Sequence, residues 1–302
     1  MAALIDVSDV LNLATGGGSG APEVYWFFKD NRITGGGAAP NGVAGRVTSL
    51  WSYIGIPADG AVPSGASVCN RSTVGAMLQA DPGGGRQKWC LGSIGGAGVV
   101  PGGWEIYDRL AHYGGGSGTV TTAQTVNTPA LTRWGGALAV GNQIWIEIHT
   151  QIGATGSTLS VSYTNQAGTA GRTSISIPIG GAGLREQTRM LPVPLQAGDT
   201  GVRSVESFTL SATTGTAGNI GVVIARPILF GASADAGIPY VRDLITELPP
   251  AQEVLADACL ALKYVANSTP PPRNWGWWRM WGRGWRTLTL PAFWAAQRTG
   301  GR

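Results

Sequence analysis

Residues 143–179 constrain the fold more than any other stretch of this chain. Gln143-Ile144-Trp145-Ile146-Glu147-Ile148-His149 alternates at a period of two, with Ile144, Ile146 and Ile148 on one face and Trp145, Glu147 and His149 on the other. Successive side chains of a strand point to opposite faces, so this pattern predicts a half-buried strand. A polar loop at 153–157 leads into Thr158-Leu159-Ser160-Val161-Ser162-Tyr163-Thr164, where Leu159, Val161 and Tyr163 share a face. Asn165-Gln166-Ala167-Gly168 supplies turn chemistry, and Thr173-Ser174-Ile175-Ser176-Ile177 opens a third strand with the same rhythm. Three adjacent antiparallel strands with one apolar face need a second layer to cover it, which predicts a β-sandwich.

Composition agrees with a mainly β chain. With 48 glycines, 18 prolines and 13% charged residues in 302, short strands and tight turns fit better than helices. The net charge of +4 is concentrated in Arg273, Arg279, Arg283, Arg286, Arg298 and Arg302, so a general nucleic-acid-binding surface is not indicated. Cys69, Cys90 and Cys259 have no metal-ligand spacing and are too few for a disulfide framework, which makes them buried thiols. Residues 1–20 lack the basic and apolar regions of a leader, and no run of about 18 apolar residues occurs. The expectation is a soluble protein made in the cytoplasm, without a membrane partner.

In chain order, residues 2–14 have apolar spacing compatible with a short helix. The aromatic island Glu23-Val24-Tyr25-Trp26-Phe27-Phe28-Lys29 lies between glycine runs. It either packs on the main body or anchors on a neighbouring subunit. Residues 35–85, rich in Gly, Ala, Pro and Ser with anchors at Leu50, Trp51, Tyr53, Ile54 and Ile56, read as an extended arm, so that 1–85 as a whole is a Gly/Pro-rich arm reaching, like 266–302, over neighbouring subunits. The sandwich core spans 86–265, with strands expected at 87–94, 104–110, 119–128, the central three, 204–212 and 220–225. The last of these is covered on both faces. Met190-Leu191-Pro192-Val193-Pro194-Leu195 suits an edge or crossover. About eight strands through Phe230 suit a jelly-roll-like sandwich. Residues 251–264 fit a helix or, preferably, a strand at 259–265 able to pair with 285–290, the one strand that the C-terminal segment 266–302 returns to the core.

Within that segment, Trp275, Trp277, Trp278, Arg279, Trp281 and Arg283 form the most aromatic and basic run of the chain. Such a run suits base stacking, a membrane interface or docking on a protein. Docking is favoured, because the run lacks a folded platform and regular amphipathic spacing, and Trp and Arg dominate interface hot spots. The interface candidates are therefore these six residues with Trp26, Phe27, Phe28 and Trp51. Catalytic signals are sparse. Glu147 beside His149, and Asp108 near His112, are the nearest approaches to a dyad, and both read more simply as solvated or loop-facing groups. No phosphate-loop or dinucleotide fingerprint is present, and no cofactor or metal is implied.

Three runs carry a likeness: Trp104-Glu105-Ile106-Tyr107-Asp108-Arg109-Leu110, then Gly118-Thr119-Val120-Thr121-Thr122-Ala123-Gln124-Thr125-Val126, then Val161 through Asn165-Gln166-Ala167-Gly168-Thr169-Ala170-Gly171-Arg172-Thr173. Over about residues 45–265 the chain resembles tailed-bacteriophage virion structural proteins of the head cement or decoration kind. The resemblance implies a β-sandwich seated on an icosahedral capsid, with the major capsid protein and copies of itself as partners, often as a homotrimer, and with no catalytic residues. Two rivals follow from the residues alone: a receptor- or glycan-binding module of a tail fibre, and a polysaccharide-degrading enzyme using Glu147 and Asp108.

Overall fold

The computed structural model describes residues 23–33, 44–79, 87–95, 102–233, 240–243, 252–267 and 288–297. The first strands are β1 (Glu23–Ile33), β2 (Val47–Ser49), β3 (Tyr53–Ile56), β4 (Ser67–Val68), β5 (Gln87–Gly95) and β6 (Gly102–Gly116). There follow β7 (Gln124–Thr125), β8 (Gln143–Thr150), β9 (Ser157–Asn165), β10 (Arg172–Thr173), β11 (Ile177–Ile179) and β12 (Arg189–Val193). The last are β13 (Val202–Leu210), β14 (Asn219–Ser233), β15 (Tyr240–Asp243), β16 (Gln252–Val254), β17 (Leu260–Ala266) and β18 (Leu288–Gln297). Among the described residues a single 3-10 turn, Gly136–Ala139, interrupts them.

The strand order β14-β8-β12-β2-β17-β6 closes on itself, because β14 also pairs with β6. The result is a closed six-stranded antiparallel barrel. Its two longest strands, β6 and β14, slip register between Ile220 and Val222, Ile224 and Ala225, and Pro227 and Leu229. Such irregularities bend and twist long strands, which closure requires. Two further sheets cover the barrel from outside. One is five-stranded, β10-β9-β13-β7 with β11 on β9; the other is six-stranded, β15-β5-β18-β1-β3 with β16 on β5.

Three cores follow from this arrangement. Ile144, Ile146 and Ile148 of β8 and Ile220, Val222 and Ile224 of β14 meet Leu159, Val161 and Tyr163 of β9 and Val205 and Phe208 of β13 beneath the five-stranded sheet. Ile106, Leu260 and Leu262 meet Phe27, Tyr53, Met77 and Cys90 beneath the six-stranded one. The remaining face of the barrel strands points into the lumen, where Tyr107, Trp145, Met190, Val223 and Ala261 pack with Trp51, Cys69 and Cys259.

The alternation of 143–164 identifies the correct apolar faces but not the neighbours. β8 belongs to the barrel and β9 to the covering sheet, so the two oppose each other across a core instead of pairing side by side. Period two fixes which side of a strand is buried and says nothing about which strand lies beside it. Nor is β8 half-buried, since Trp145, Glu147 and His149 are enclosed in the lumen. The expected third strand divides into β10 and β11. Between them Ser174 exchanges hydrogen bonds with Val161, its N–H donating to Val161 O and its Oγ accepting from Val161 N, each 2.9 Å. Ile175 is turned out to solvent. The strand expected at 119–128 shrinks to β7.

The arm reading of 35–85 is corrected for 44–79. β2 is a barrel strand between β12 and β17, β4 pairs with β6, and Leu50, Trp51, Cys69 and Met77 are buried. Glycine here serves close packing: a Cβ on Gly60 would lie 2.1 Å from Trp51 Cε2, and Gly75, at φ +101°, backs onto Gly60. Pro192 sits inside the barrel wall and not at an edge, opposite Trp145 of β8. It is tolerated because the pairing of β12 with β2 involves only Arg189 and Met190. The strand reading at 259–265 holds as β17, but its partners are β2 and β6. β18 instead lies between β1 and β5. The helix expected at 2–14 lies outside the described residues.

Candidate functional site

The lumen is filled by charge as well as by apolar groups. Glu105 and Lys263, opposite each other on β6 and β17, form an ion pair of 2.7 Å, and Lys263 Nζ sits 3.5 Å from the Trp145 ring centre and 4.8 Å from that of Tyr107. Burial drives Lys263 down to about 8 against the pull of Glu105, and pushes Glu105 up against the pull of Lys263. Further along β6, Arg109 donates from Nη2 to Glu147 Oε2 at 2.7 Å and from Nε to His112 Nδ1 at 3.2 Å, while its guanidinium lies 4.5 Å from the Trp51 ring. Burial opposes the charge on Glu147, yet Arg109 and then His149 hold it at about 2. Burial lowers His149 in turn, against the pull of Glu147.

At the Gly102 end the lumen opens into a cavity of about 140 Å³. Trp104, Trp145, Phe230 and Val265 make its walls, and Glu105 and Lys263 its polar part. Phe230 is half exposed at the rim. The walls are largely apolar, and the two charges there pair with each other.

Behind β6, Asp108 is fully buried and accepts two hydrogen bonds from Arg133, 2.8 Å from Nε and 2.7 Å from Nη2, and one of 2.8 Å from Cys259 N. Arg133 Nη1 donates to Cys69 O at 2.6 Å. The Asp108–Arg133 pair thus ties β6 to the chain on either side of two cysteines. At the outer surface, Asp199 accepts from Tyr163 Oη, Asn165 Nδ2 and Arg172 Nε at 2.6, 2.7 and 2.9 Å. The Tyr163 hydroxyl first, then Arg172, lower its carboxyl to about 2. Asn165 Oδ1 accepts from Ala167 N and Thr169 N, which fixes the turn of the distinctive 161–173 run.

The expected site residues are dispersed. Trp51 and Phe27, candidates for contact with neighbours, are each 1% exposed inside this chain's own cores, which corrects their assignment. An indole over a buried guanidinium and a phenyl ring beneath an outer sheet have no surface left to offer. Trp26 and Phe28 lie on β1. Trp275, Trp277, Trp278, Arg279, Trp281 and Arg283 fall outside the described residues. Glu147 and His149 are interior rather than solvated, and Asp108 binds Arg133, not His112. The pairing of Arg109 with Glu147, and of Arg133 with Asp108, escaped the sequence reading. The available signal was charge at Glu105, Asp108 and Arg109 within an otherwise apolar strand.

Among the described residues no helix is long and apolar enough to cross a membrane. Comparison with protein-family models, with curated proteins and with solved structures gives no significant match.

Proposed function

We propose that this chain is a structural protein of a tailed-phage particle, a head cement or decoration protein that binds the major capsid protein and copies of itself, as a homotrimer, on the virion surface. The observation that carries the reading is the split character of residues 44–79. Their backbone is sewn into the barrel, while Ile56, Val62, Val74 and Leu78 stand 60, 44, 62 and 79% exposed. Four large aliphatic groups on one well-held segment suit a protein-protein contact better than solvent. The resemblance of 104–110, 118–126 and 161–173 to virion proteins supports the same assignment. In this reading the five-stranded sheet facing β8 and β14 is the jelly-roll-like, two-layered part.

The enzyme rival would use Glu147 and Asp108. Each is fully buried and taken up by a buried arginine, Glu147 by Arg109 and Asp108 by Arg133, which leaves neither carboxylate open to a polysaccharide. The glycan-binding rival has one observation in its favour, the Trp104, Trp145 and Phe230 walls of the barrel-mouth cavity. Copy number separates the two: hundreds of chains per purified particle fit the head, and a few dozen or fewer fit the tail. For the head role, Leu78→Asp with Ile56→Asp should leave the monomer folded and reduce its retention on particles at least tenfold. Full retention of the double variant overturns the assignment.

A further inference from the structure

Two of the three cysteines meet at one place on β6. β17 follows one edge of β6 over residues 102–108, and β4 takes up the same edge at Ala111 and His112. The residue preceding β17 is Cys259, whose carbonyl accepts from Arg109 N at 2.7 Å; the residue following β4 is Cys69, whose N–H donates to Leu110 O at 3.0 Å. The two strands thus run end to end along one edge, and their cysteines come together across the junction. Both thiols are wholly buried in the lumen core and free, and their backbones are held by consecutive residues of β6, Arg109 and Leu110. The position is held from both sides, since Asp108 binds Cys259 N and Arg133 binds Cys69 O.

We propose that Cys69 and Cys259 are a reversible dithiol-disulfide pair that latches the segment 44–79 to the barrel wall. Cys69 is the nucleophilic member. The Cys259 thiol, and after it His112 and Arg109, favour its thiolate, while burial pushes the Cys259 thiol up. With a peroxide as oxidant, the Cys69 thiolate attacks one oxygen, the O–O bond breaks, and a sulfenic acid forms with release of hydroxide. Cys259 sulfur then attacks the Cys69 sulfur as its own proton leaves. The S–S bond forms and the sulfenic oxygen departs as water. Overall, two thiols and one peroxide give one disulfide and two waters, with two electrons passing from sulfur to oxygen. A glutathione disulfide reaches the same product by two exchange steps that release two glutathione thiols. Cys90 lies in a different core, among Phe27, Tyr53 and Met77, and remains a thiol. The dithiol is the form expected where thiols are kept reduced, and the disulfide the form after transfer to oxidising surroundings.

The test uses the full purified chain, treated folded with hydrogen peroxide and separately refolded in a glutathione redox buffer. Peptide mapping should find Cys69 joined to Cys259, an intact mass lower by two hydrogens, and Cys90 still alkylatable. Because the bridge closes a loop of roughly 190 residues, Tm should rise by on the order of 5–10 °C and return with dithiothreitol. C90S should behave as wild type, and C259S should neither bridge nor gain stability. Three alkylatable thiols after both treatments, a bridge to Cys90, or an oxidised form no more stable than the reduced one overturns the proposal. So does recovery of the folded chain with one zinc ion bound through these thiols. If C259S fails to fold, the wild-type peptide map decides alone.

Discussion

The two faces of β8 meet opposite solutions to burial. On one, Ile144, Ile146 and Ile148 join a core built of aliphatic and aromatic groups; on the other, Trp145, Glu147 and His149 enter a lumen where Arg109, Glu105 and Lys263 are also buried. The apolar side is indifferent to small changes of angle, because apolar attraction is not directional. The lumen is not. A buried carboxylate is tolerable only at the geometry that its partner supplies, so Arg109–Glu147 and Lys263–Glu105 contribute less to net stability than to fixing how β6 faces β8 across the lumen and its register against β17. A six-stranded barrel is too narrow for a water-filled channel, and side chains must occupy its interior. Here that occupancy is charged, aromatic and matched pair by pair.

The strongest way to break the comparison is Arg109→Ala. It leaves Glu147 buried and uncompensated and removes the cation over Trp51, so urea unfolding should show a loss of about 3–5 kcal/mol. The double change R109M/E147L, which removes both charges, should recover most of that loss. If it is no better than the single change, the pair does more for stability than for register. The same asymmetry should appear on the acid side. Glu147 has a folded pKa below its unfolded one, so its contribution is complete above about 4.5 and is lost as pH falls towards about 2. His149 is lowered too, so the unfolded chain binds its proton first, and stability declines below about 6.5 for the same reason. In thermal melts from pH 7 to pH 3, the wild type should lose more Tm over the lower part of the range than Glu147→Gln does, the difference isolating Glu147 from the raised carboxyls of Glu105 and Asp108.

Next in size is Gly60→Ala. A Cβ there would overlap the Trp51 ring, which is enclosed in the lumen core and cannot swing away cheaply, and a loss of about 1–3 kcal/mol is expected. On the apolar face, Ile146→Val should cost only about 0.5–1.5 kcal/mol, since the removed methylene leaves a cavity but no unpaired group. Chemical denaturation of the two variants side by side measures how much less forgiving the lumen is.

Much of this was legible in the residues. The alternation of 143–149 and 158–164, the doubly covered run at 220–225 and the strand at 259–265 are all present as β8, β9, β14 and β17. Closure was not, because a barrel differs from a sandwich only in which strands are neighbours, and β6 meets β14 and β17 across more than a hundred intervening residues. The role of 44–79 was hidden for another reason. Glycine has the same letter whether it marks a loose arm or lets a backbone rest on an indole, and only Trp51 above Gly60 distinguishes the two. The ion pairs were hidden by distance: Arg109 and Glu147 are 38 positions apart, and nothing local in either marks the other as its partner.

The smallest expected effect sharpens the comparison most. Arg71 and Asp257 form an ion pair too, at 4.0 Å, with side chains 36 and 59% exposed. Chemically it is the same guanidinium and carboxylate as in the lumen; only the surroundings differ. Water hydrates either partner when the other is removed, and salt screens what attraction remains, so Arg71→Ala should shift stability by no more than about 0.5 kcal/mol. Added sodium chloride should erase even that, while leaving the cost of Arg109→Ala nearly unchanged, because a pair shut inside the barrel is out of reach of mobile ions. Should Arg71→Ala instead cost as much as Arg109→Ala, burial would not be what makes the lumen charges decisive. The specificity assigned to them would then belong to the network of strands around them.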